Sequence, residues 1–183
     1  MPKAVFIDRD GVINREVDNL KDIGQLRLLP GVATAIRKIN QNGILVIVIT
    51  NQPVVARGWI SENELNLIHQ EILTRLAKKG AKIDAFYYCP HHPEANLKKY
   101  RKKCRCRKPN IGLIQKAVKK YNISIKDSYF IGDTTRDILT AKNVGLKSIL
   151  VKTGYGGKDK KFNVKPDYIV NNLYEAANLI CRL

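Results

Sequence analysis

The sequence lacks any long hydrophobic run, and its N-terminus, Met1-Pro2-Lys3, leads directly into a short apolar segment. A transmembrane helix needs about 18 consecutive apolar residues, and a secretory signal peptide needs an apolar stretch followed by a cleavage site. Because neither pattern is present, we expect a cytoplasmic protein that does not act at a membrane. The chain also lacks internal repeats and low-complexity segments.

Acidic residues are scarce. The sequence has 16 Asp and Glu against 33 Lys and Arg, which gives a formal net charge of +17. The densest basic block covers residues 98–108, and a smaller one covers 158–161. A basic excess can indicate nucleic acid, anionic substrates or only a solvated lysine-rich surface. The charge alone therefore identifies no ligand.

The order of the predicted elements indicates the fold class. A chain of 183 residues with 44% hydrophobic residues suits a single domain over residues 1–183. Strands are predicted over residues 4–8, 44–49, 83–88, 129–131 and 148–151. Helices are predicted over residues 31–42, 61–80, 111–121, 135–143 and 173–181. Alternating strands and helices predict a three-layer, doubly wound α/β fold with a mostly parallel sheet.

Two aspartates, one residue apart, follow the first predicted strand. The apolar run at residues 5–7 leads to Asp8 and Asp10, and then to Gly11. Residues at the carboxyl end of a parallel strand border the crevice in which open α/β sheets bind ligands. Alone, the pattern is more often a polar turn in which glycine supplies a positive φ.

Polar residues follow the other predicted strands as well. Thr50 and Asn51 end the second strand, Asp133 and Asp137 follow the fourth, and Lys108 precedes the helix that leads to it. Since the carboxyl ends of parallel strands share one edge, we expect these side chains to meet the two aspartates. Neighbouring carboxylates repel unless a cation lies between them, and hard oxygen ligands favour Mg²⁺. A hydroxyl, an amide and an ammonium would complete a cradle for a phosphoryl group.

Three of the four cysteines lie in the long loop after the third strand. Since the cytoplasm disfavours disulfides, thiolates at paired spacing with one imidazole indicate a four-coordinate structural zinc site. A loop of this length inside a compact domain also needs a staple. His92 is a competing imidazole, and free thiols are the alternative. The predicted zinc-stapled loop covers about residues 89–107, with the ligands Cys89, His91, Cys104 and Cys106.

Together these motifs resemble the haloacid dehalogenase superfamily of phosphotransferases. The matching segments are Asp8-Arg9-Asp10-Gly11-Val12, Thr50-Asn51, Lys108 and Gly132-Asp133-Thr134-Thr135-Arg136-Asp137. The resemblance implies the Rossmann-like fold of that superfamily and a covalent mechanism. Asp8 would attack phosphorus to form an aspartyl phosphate, which water then hydrolyses. Asp10 would protonate the leaving oxygen and afterwards activate the water.

The resemblance also implies roles for the other motif residues. Mg²⁺ would be held by Asp8, the backbone carbonyl of Asp10 and Asp133, and would neutralise charge. Asp137 would orient the metal site or the motif lysine, while its simpler interpretation is a carboxylate that favours the helix dipole. The residues that would bind phosphoryl oxygens or offset their charge are Thr50, Asn51 and Lys108.

The zinc loop narrows the resemblance. Residues 88–93 and 104–109, with Asn51-Gln52 and Ala56-Arg57-Gly58, look like the D-glycero-D-manno-heptose 1,7-bisphosphate 7-phosphatases. This implies a fold without a separate cap domain, an Arg107 that contacts the substrate, and an Arg57 that binds its second phosphate. The implied reaction removes the C7 phosphate in the biosynthesis of nucleotide-activated heptose, a precursor of lipopolysaccharide or surface glycans.

Alternatives remain open because the chain departs from that family pattern. Pro53 and Val54 stand where the heptose enzymes usually have Ser-Gly, and Thr134 stands where they commonly have lysine. A histidinol-phosphate phosphatase is the first alternative. A polynucleotide 3′-phosphatase, suggested by the basic loop, is the second. Apart from this nucleic-acid alternative, we expect a monomer that acts on a small phosphorylated sugar.

Overall fold

Six parallel strands form one sheet in the order β3-β2-β1-β4-β5-β6 in the computed structural model, which describes residues 1–182. The strands are β1 (Ala4–Ile7), β2 (Leu45–Asn51), β3 (Ala85–Cys89), β4 (Tyr129–Gly132), β5 (Lys147–Val151) and β6 (Tyr168–Val170). The order reverses direction at β1, so the switch point lies between β1 and β4, where ligands of doubly wound sheets bind. The predicted doubly wound fold is confirmed.

Helices cover both faces of the sheet and complete the three layers. They are α1 (Val32–Gln41), α2 (Pro53–Ala56), α3 (Glu62–Ala77), α4 (Gly112–Tyr121), α5 (Thr135–Val144) and α6 (Leu173–Ile180). The apolar sides of α1, α3 and α6 pack on one face, while those of α4 and α5 pack on the other. Within residues 1–182, no helix combines the length and apolarity needed to cross a membrane.

One α-helix and one strand were not predicted from the sequence. Pro53 begins α2, because proline suits the first turn of a helix, where its missing N–H costs nothing. The segment after Gln52 is therefore a helical turn whose residues Val54 and Val55 are buried. Strand β6 has only three residues and lies at the sheet edge, so it is too short for a periodic signal.

Candidate active site

A crevice of about 550 Å³ opens at the carboxyl ends of the central strands. All nine residues predicted to bind or transfer the phosphoryl group, or to support that chemistry, line it. These residues are Asp8, Asp10, Thr50, Asn51, Arg57, Arg107, Lys108, Asp133 and Asp137. Those at the strand ends, such as Asp8, Thr50 and Asp133, converge because β1, β2 and β4 are parallel neighbours that end at the same edge.

Lys108 links two carboxylates at the base of the crevice. Its Nζ lies 2.8 Å from Asp8 Oδ2 and 2.7 Å from Asp137 Oδ1, and the residue is only 3% exposed. Burial raises the pKa of Asp8 to about 6, although Lys108 opposes the shift. For Lys108 burial acts in the other direction, but the carboxylates of Asp137 and Asp8 outweigh it and raise its pKa. The base of the crevice thus holds more negative charge than one ammonium balances.

Asp133 lies in a space that two glycines leave open. Its Oδ2 accepts a hydrogen bond of 2.8 Å from the backbone N–H of Tyr155. A Cβ atom on Gly11 or Gly154 would collide with this carboxylate, and both glycines have a positive φ, +75° and +59°. Burial and the neighbouring carboxylates of Asp137 and Asp8 raise the pKa of Asp133 to about 9. The site therefore favours a cation beside Asp133.

The carboxylate group at this edge fits a hard divalent cation. One oxygen each of Asp8, Asp133 and Asp137 lies within 4.8 Å of the other two. Asp137 already accepts a bond from Lys108 through Oδ1, and its Oδ2 accepts bonds from the backbone N–H and hydroxyl of Thr134. Asp137 therefore both caps α5 and orients Lys108, which leaves Asp8 and Asp133 as the side chains best placed for Mg²⁺.

The Asp10 carboxylate is held by three neighbouring side chains. Oδ1 accepts bonds from Arg9 Nε (3.1 Å) and Asn14 Nδ2 (2.8 Å). Oδ2 accepts bonds from Arg9 Nη2 (2.8 Å) and Gln52 Nε2 (2.9 Å). Burial would raise the pKa of Asp10, but the Arg9 guanidinium and these hydrogen bonds outweigh it and lower the pKa. Asp10 is therefore ionised here, in the form of a general base.

The end of β2 supports both the lysine and the hydroxyl of the cradle. Asn51 donates from Nδ2 to the Lys108 carbonyl (3.2 Å) and accepts the Lys108 backbone N–H at Oδ1 (3.0 Å). Thr50 is 1% exposed, and its Oγ1 accepts a bond of 2.9 Å from Gln52. Asn51 thus fixes the segment that carries the lysine. Its contact with phosphoryl oxygens stays a prediction.

Three half-buried arginines, called the arginine rim below, line the crevice. Arg57 donates to Asn19 Oδ1 (3.0 Å), and Arg107 donates to the backbone carbonyl of His91 (3.1 Å). Arg136 lines the same crevice. Burial and the nearby charge of Arg136 lower the pKa of Arg107. None of the three forms an ion pair within residues 1–182, so this rim is suited to an anionic group.

The long loop after β3 brings together the four predicted zinc ligands. The thiols of Cys89, Cys104 and Cys106 lie 3.0 to 3.4 Å apart, and His91 Nδ1 lies 3.2 Å from Cys106 Sγ. All four ligand atoms fall within 4.8 Å of one another. His92, the competing imidazole, instead accepts the Glu94 N–H and lines the crevice. Three sulfurs and one ring nitrogen are a ligand set typical of structural zinc.

Known proteins are similar to this chain over nearly its whole length. The family described as HAD-hydrolase-like matches residues 105–176. The D-glycero-alpha-D-manno-heptose-1,7-bisphosphate 7-phosphatase of Photorhabdus laumondii is 37% identical over 97% of this chain and 96% of its own. The corresponding beta enzyme of Escherichia coli K12 is 34% identical over 97% of this chain and 93% of its own. This chain belongs to that phosphatase family.

A solved structure agrees with the assignment. The crystal structure of D,D-heptose 1.7-bisphosphate phosphatase from B. bronchiseptica, complexed with magnesium and phosphate, superposes with a TM-score of 0.88. It is 31% identical, and the match covers 98% of each chain. This chain is therefore a phosphatase, and it has the fold and the crevice described above.

Several residues in or behind the phosphatase crevice were not predicted from the sequence. Arg9 and Asn14 hold Asp10, and Gln52 joins it to Thr50. Arg9 stands between the two motif aspartates and Gln52 follows Asn51, so their positions were a usable signal. Arg136 lies two positions after Thr134, where the family commonly has lysine, and its guanidinium supplies a cation to the same crevice.

Proposed function

We propose that this phosphatase removes the C7 phosphate of D-glycero-D-manno-heptose 1,7-bisphosphate by way of an aspartyl phosphate on Asp8. The observation that carries the proposal is the position of Asp8 at the switch point of the sheet, in contact with Lys108 and within 4.8 Å of Asp133. The names of the relatives support the substrate. The reaction would belong to the biosynthesis of nucleotide-activated heptose.

Asp8 is the proposed nucleophile, and Asp10 is the proposed acid and base. An Asp8 carboxylate oxygen bonds to phosphorus as the bond from phosphorus to the C7 oxygen breaks, and Asp10 gives that oxygen a proton. Asp10, now ionised, then takes a proton from the water that hydrolyses the aspartyl phosphate. That step leaves Asp10 protonated for the next turnover, so Asp10 takes a proton from solution only before the first, in spite of the contacts with Arg9 that favour its ionised form.

Other residues of the cradle hold the phosphoryl oxygens and their charge. Lys108 offsets negative charge beside Asp8, while Thr50 and Asn51 provide a hydroxyl and an amide at the adjacent strand end. Mg²⁺, held by Asp8, Asp133 and the backbone carbonyl of Asp10, would neutralise charge between the carboxylate and the phosphate.

The second phosphate of the substrate is proposed to bind the arginine rim. Arg57, Arg107 and Arg136 line one crevice with the nucleophile, and guanidinium groups suit phosphate oxygens because they present paired donors. A bisphosphate places one phosphate at Asp8 and leaves the other for the rim. We further propose that the chain works in the cytoplasm as a monomeric single domain without a separate cap.

The substrate proposal is tested by phosphate release from a panel of esters. The heptose 1,7-bisphosphate is expected to exceed histidinol phosphate in kcat/KM by about a hundredfold, because only the bisphosphate fills the rim. A 3′-phosphorylated oligonucleotide serves as the third substrate. Higher efficiency on histidinol phosphate would overturn the proposed substrate. Higher efficiency on the oligonucleotide, falling steeply with salt, would favour the nucleic-acid alternative.

We also propose that Cys89, His91, Cys104 and Cys106 hold a structural zinc ion. Elemental analysis is expected to find close to one zinc per chain. Cys106→Ser should remove most of the zinc and lower Tm by about 5 °C or more, because the metal replaces a hydrophobic core for this loop. Cys181→Ser is the matched control, since Cys181 lies outside the zinc cluster. A zinc content near zero in the unaltered protein would contradict the proposal.

A further inference from the structure

His69, which has no role in the chemistry described so far, contacts Arg9, the residue that holds Asp10. His69 lies on α3, in the apolar row formed by Leu65, Ile68 and Ile72, and is only 4% exposed. Its Nε2 lies 3.3 Å from Nη1 of Arg9. The ring stacks on Phe86 of β3, with centroids 4.1 Å apart and planes inclined by 24°. Within residues 1–182, the side chain that hydrogen-bonds this ring is Arg9, which also holds the proposed acid and base, Asp10.

The roles of the two atoms in this contact follow from their chemistry. Arg9 is fully buried and carries only donors, so Nε2 of His69 must be the acceptor and the ring proton must lie on Nδ1. Burial and the charge of Arg9 lower the pKa of His69 to about 3, which agrees with a neutral ring. His69 therefore accepts a hydrogen bond from Nη1, the one guanidinium nitrogen of Arg9 that does not bond Asp10.

The guanidinium is planar, so fixing one nitrogen fixes the other two. Nε and Nη2 of Arg9 both bond Asp10, at 3.1 Å and at 2.8 to 2.9 Å. Without an acceptor at Nη1, a buried N–H would stay unsatisfied, and the guanidinium would rotate or shift to satisfy it. We propose that His69 is a positioning residue for catalysis, which orients Arg9 and thereby places the carboxyl of Asp10 against the leaving oxygen.

The inference rests on the proposed use of Asp10 as acid and base, and leaving-group dependence tests it. The test compares His69→Phe, which keeps an aromatic ring against Phe86 but loses the acceptor, with the unaltered enzyme. In His69→Phe, kcat/KM on the heptose bisphosphate, an alkyl phosphate, should fall about tenfold to a hundredfold. On p-nitrophenyl phosphate, whose leaving group needs little protonation, the loss should stay within about threefold.

Three further variants separate positioning from packing. His69→Gln places an amide oxygen near the former Nε2 and should restore most of the lost activity. Ile72→Val, one turn along the same buried row of α3, should leave the ratio between the two substrates unchanged. If His69→Phe does not fold, His69→Leu tests the same loss of the acceptor. Equal losses on both substrates, or no loss at all, would overturn the inference, as would a folded Gln variant that is not restored.

Asp10→Asn, measured in parallel, separates this inference from the proposed function. If Asp10→Asn lowers kcat/KM equally on alkyl and aryl phosphates, the proposed role of Asp10 as the acid for the leaving oxygen fails. If Asp10→Asn shows the leaving-group dependence and His69→Phe does not, only the role of His69 fails. Should the heptose bisphosphate not be hydrolysed, the same comparison applies to any alkyl phosphate that is.

Discussion

Asp8→Asn is expected to lower phosphatase activity by about 10⁴-fold or more while the fold persists. The amide cannot form the aspartyl phosphate, so the covalent route is lost as a whole. Folding should survive because Lys108 keeps Asp137 as a partner at 2.7 Å, and because asparagine has nearly the shape of aspartate. Phosphate release from the heptose bisphosphate measures the activity, and circular dichroism with thermal unfolding measures the fold.

Asp22→Asn is the matched control for this change. Asp22 is exposed and its side chain caps a short 3-10 helix, a role that asparagine also fills. Its activity should equal that of the unaltered enzyme. An Asp8→Asn protein that keeps more than about a tenth of the activity would exclude Asp8 as nucleophile. Hydrolysis would then proceed by direct attack of water.

The sequence predicted the parts of the site that depend on strand ends. Asp8, Thr50 and Asp133 each follow an apolar segment that is recognisable as a buried strand, and a parallel sheet brings such ends to one edge. The cluster of predicted zinc ligands could also be predicted from the sequence, because paired cysteines in a long loop have few other uses inside a compact domain. Both predictions needed only local patterns and one rule of topology.

Other parts of the site depend on contacts between distant residues, which leave no local pattern. Arg9 and His69 are 60 positions apart, and β1 and α3 bring them together only through packing on one face of the sheet. His69 occupies an apolar position of its helix, where periodicity alone cannot distinguish a ligand from a packed ring. The Asn51 side chain is comparable, since its partner is the backbone of Lys108, 57 positions away.

Lys108→Met is expected to lower activity by about 10³-fold and stability by about 3–5 kcal/mol. Methionine has a similar volume but no charge, so the buried carboxylates of Asp8 and Asp137 lose the ammonium that both contact. In the proposed reaction, the negative charge on the phosphoryl group also loses one of the cations that offset it. Urea unfolding without added metal measures the stability, and phosphate release with Mg²⁺ measures the activity.

The stability loss in Lys108→Met should depend on pH with a definite sign. Already in the unaltered protein burial raises the pKa of Asp8 to about 6, above its ordinary 3.8. Without the lysine this shift should increase, so the folded variant binds more protons than the unfolded chain between about pH 4 and pH 6 or higher. Its stability should therefore fall as the pH rises through that range, and the difference from the unaltered protein should be smaller at pH 5 than at pH 8.

Lys119→Met, on the exposed side of α4, should show neither the loss nor its pH dependence. A deficit that does not change with pH would mean that the lysine stabilises the crevice by packing, and that its charge is not needed to balance the two carboxylates.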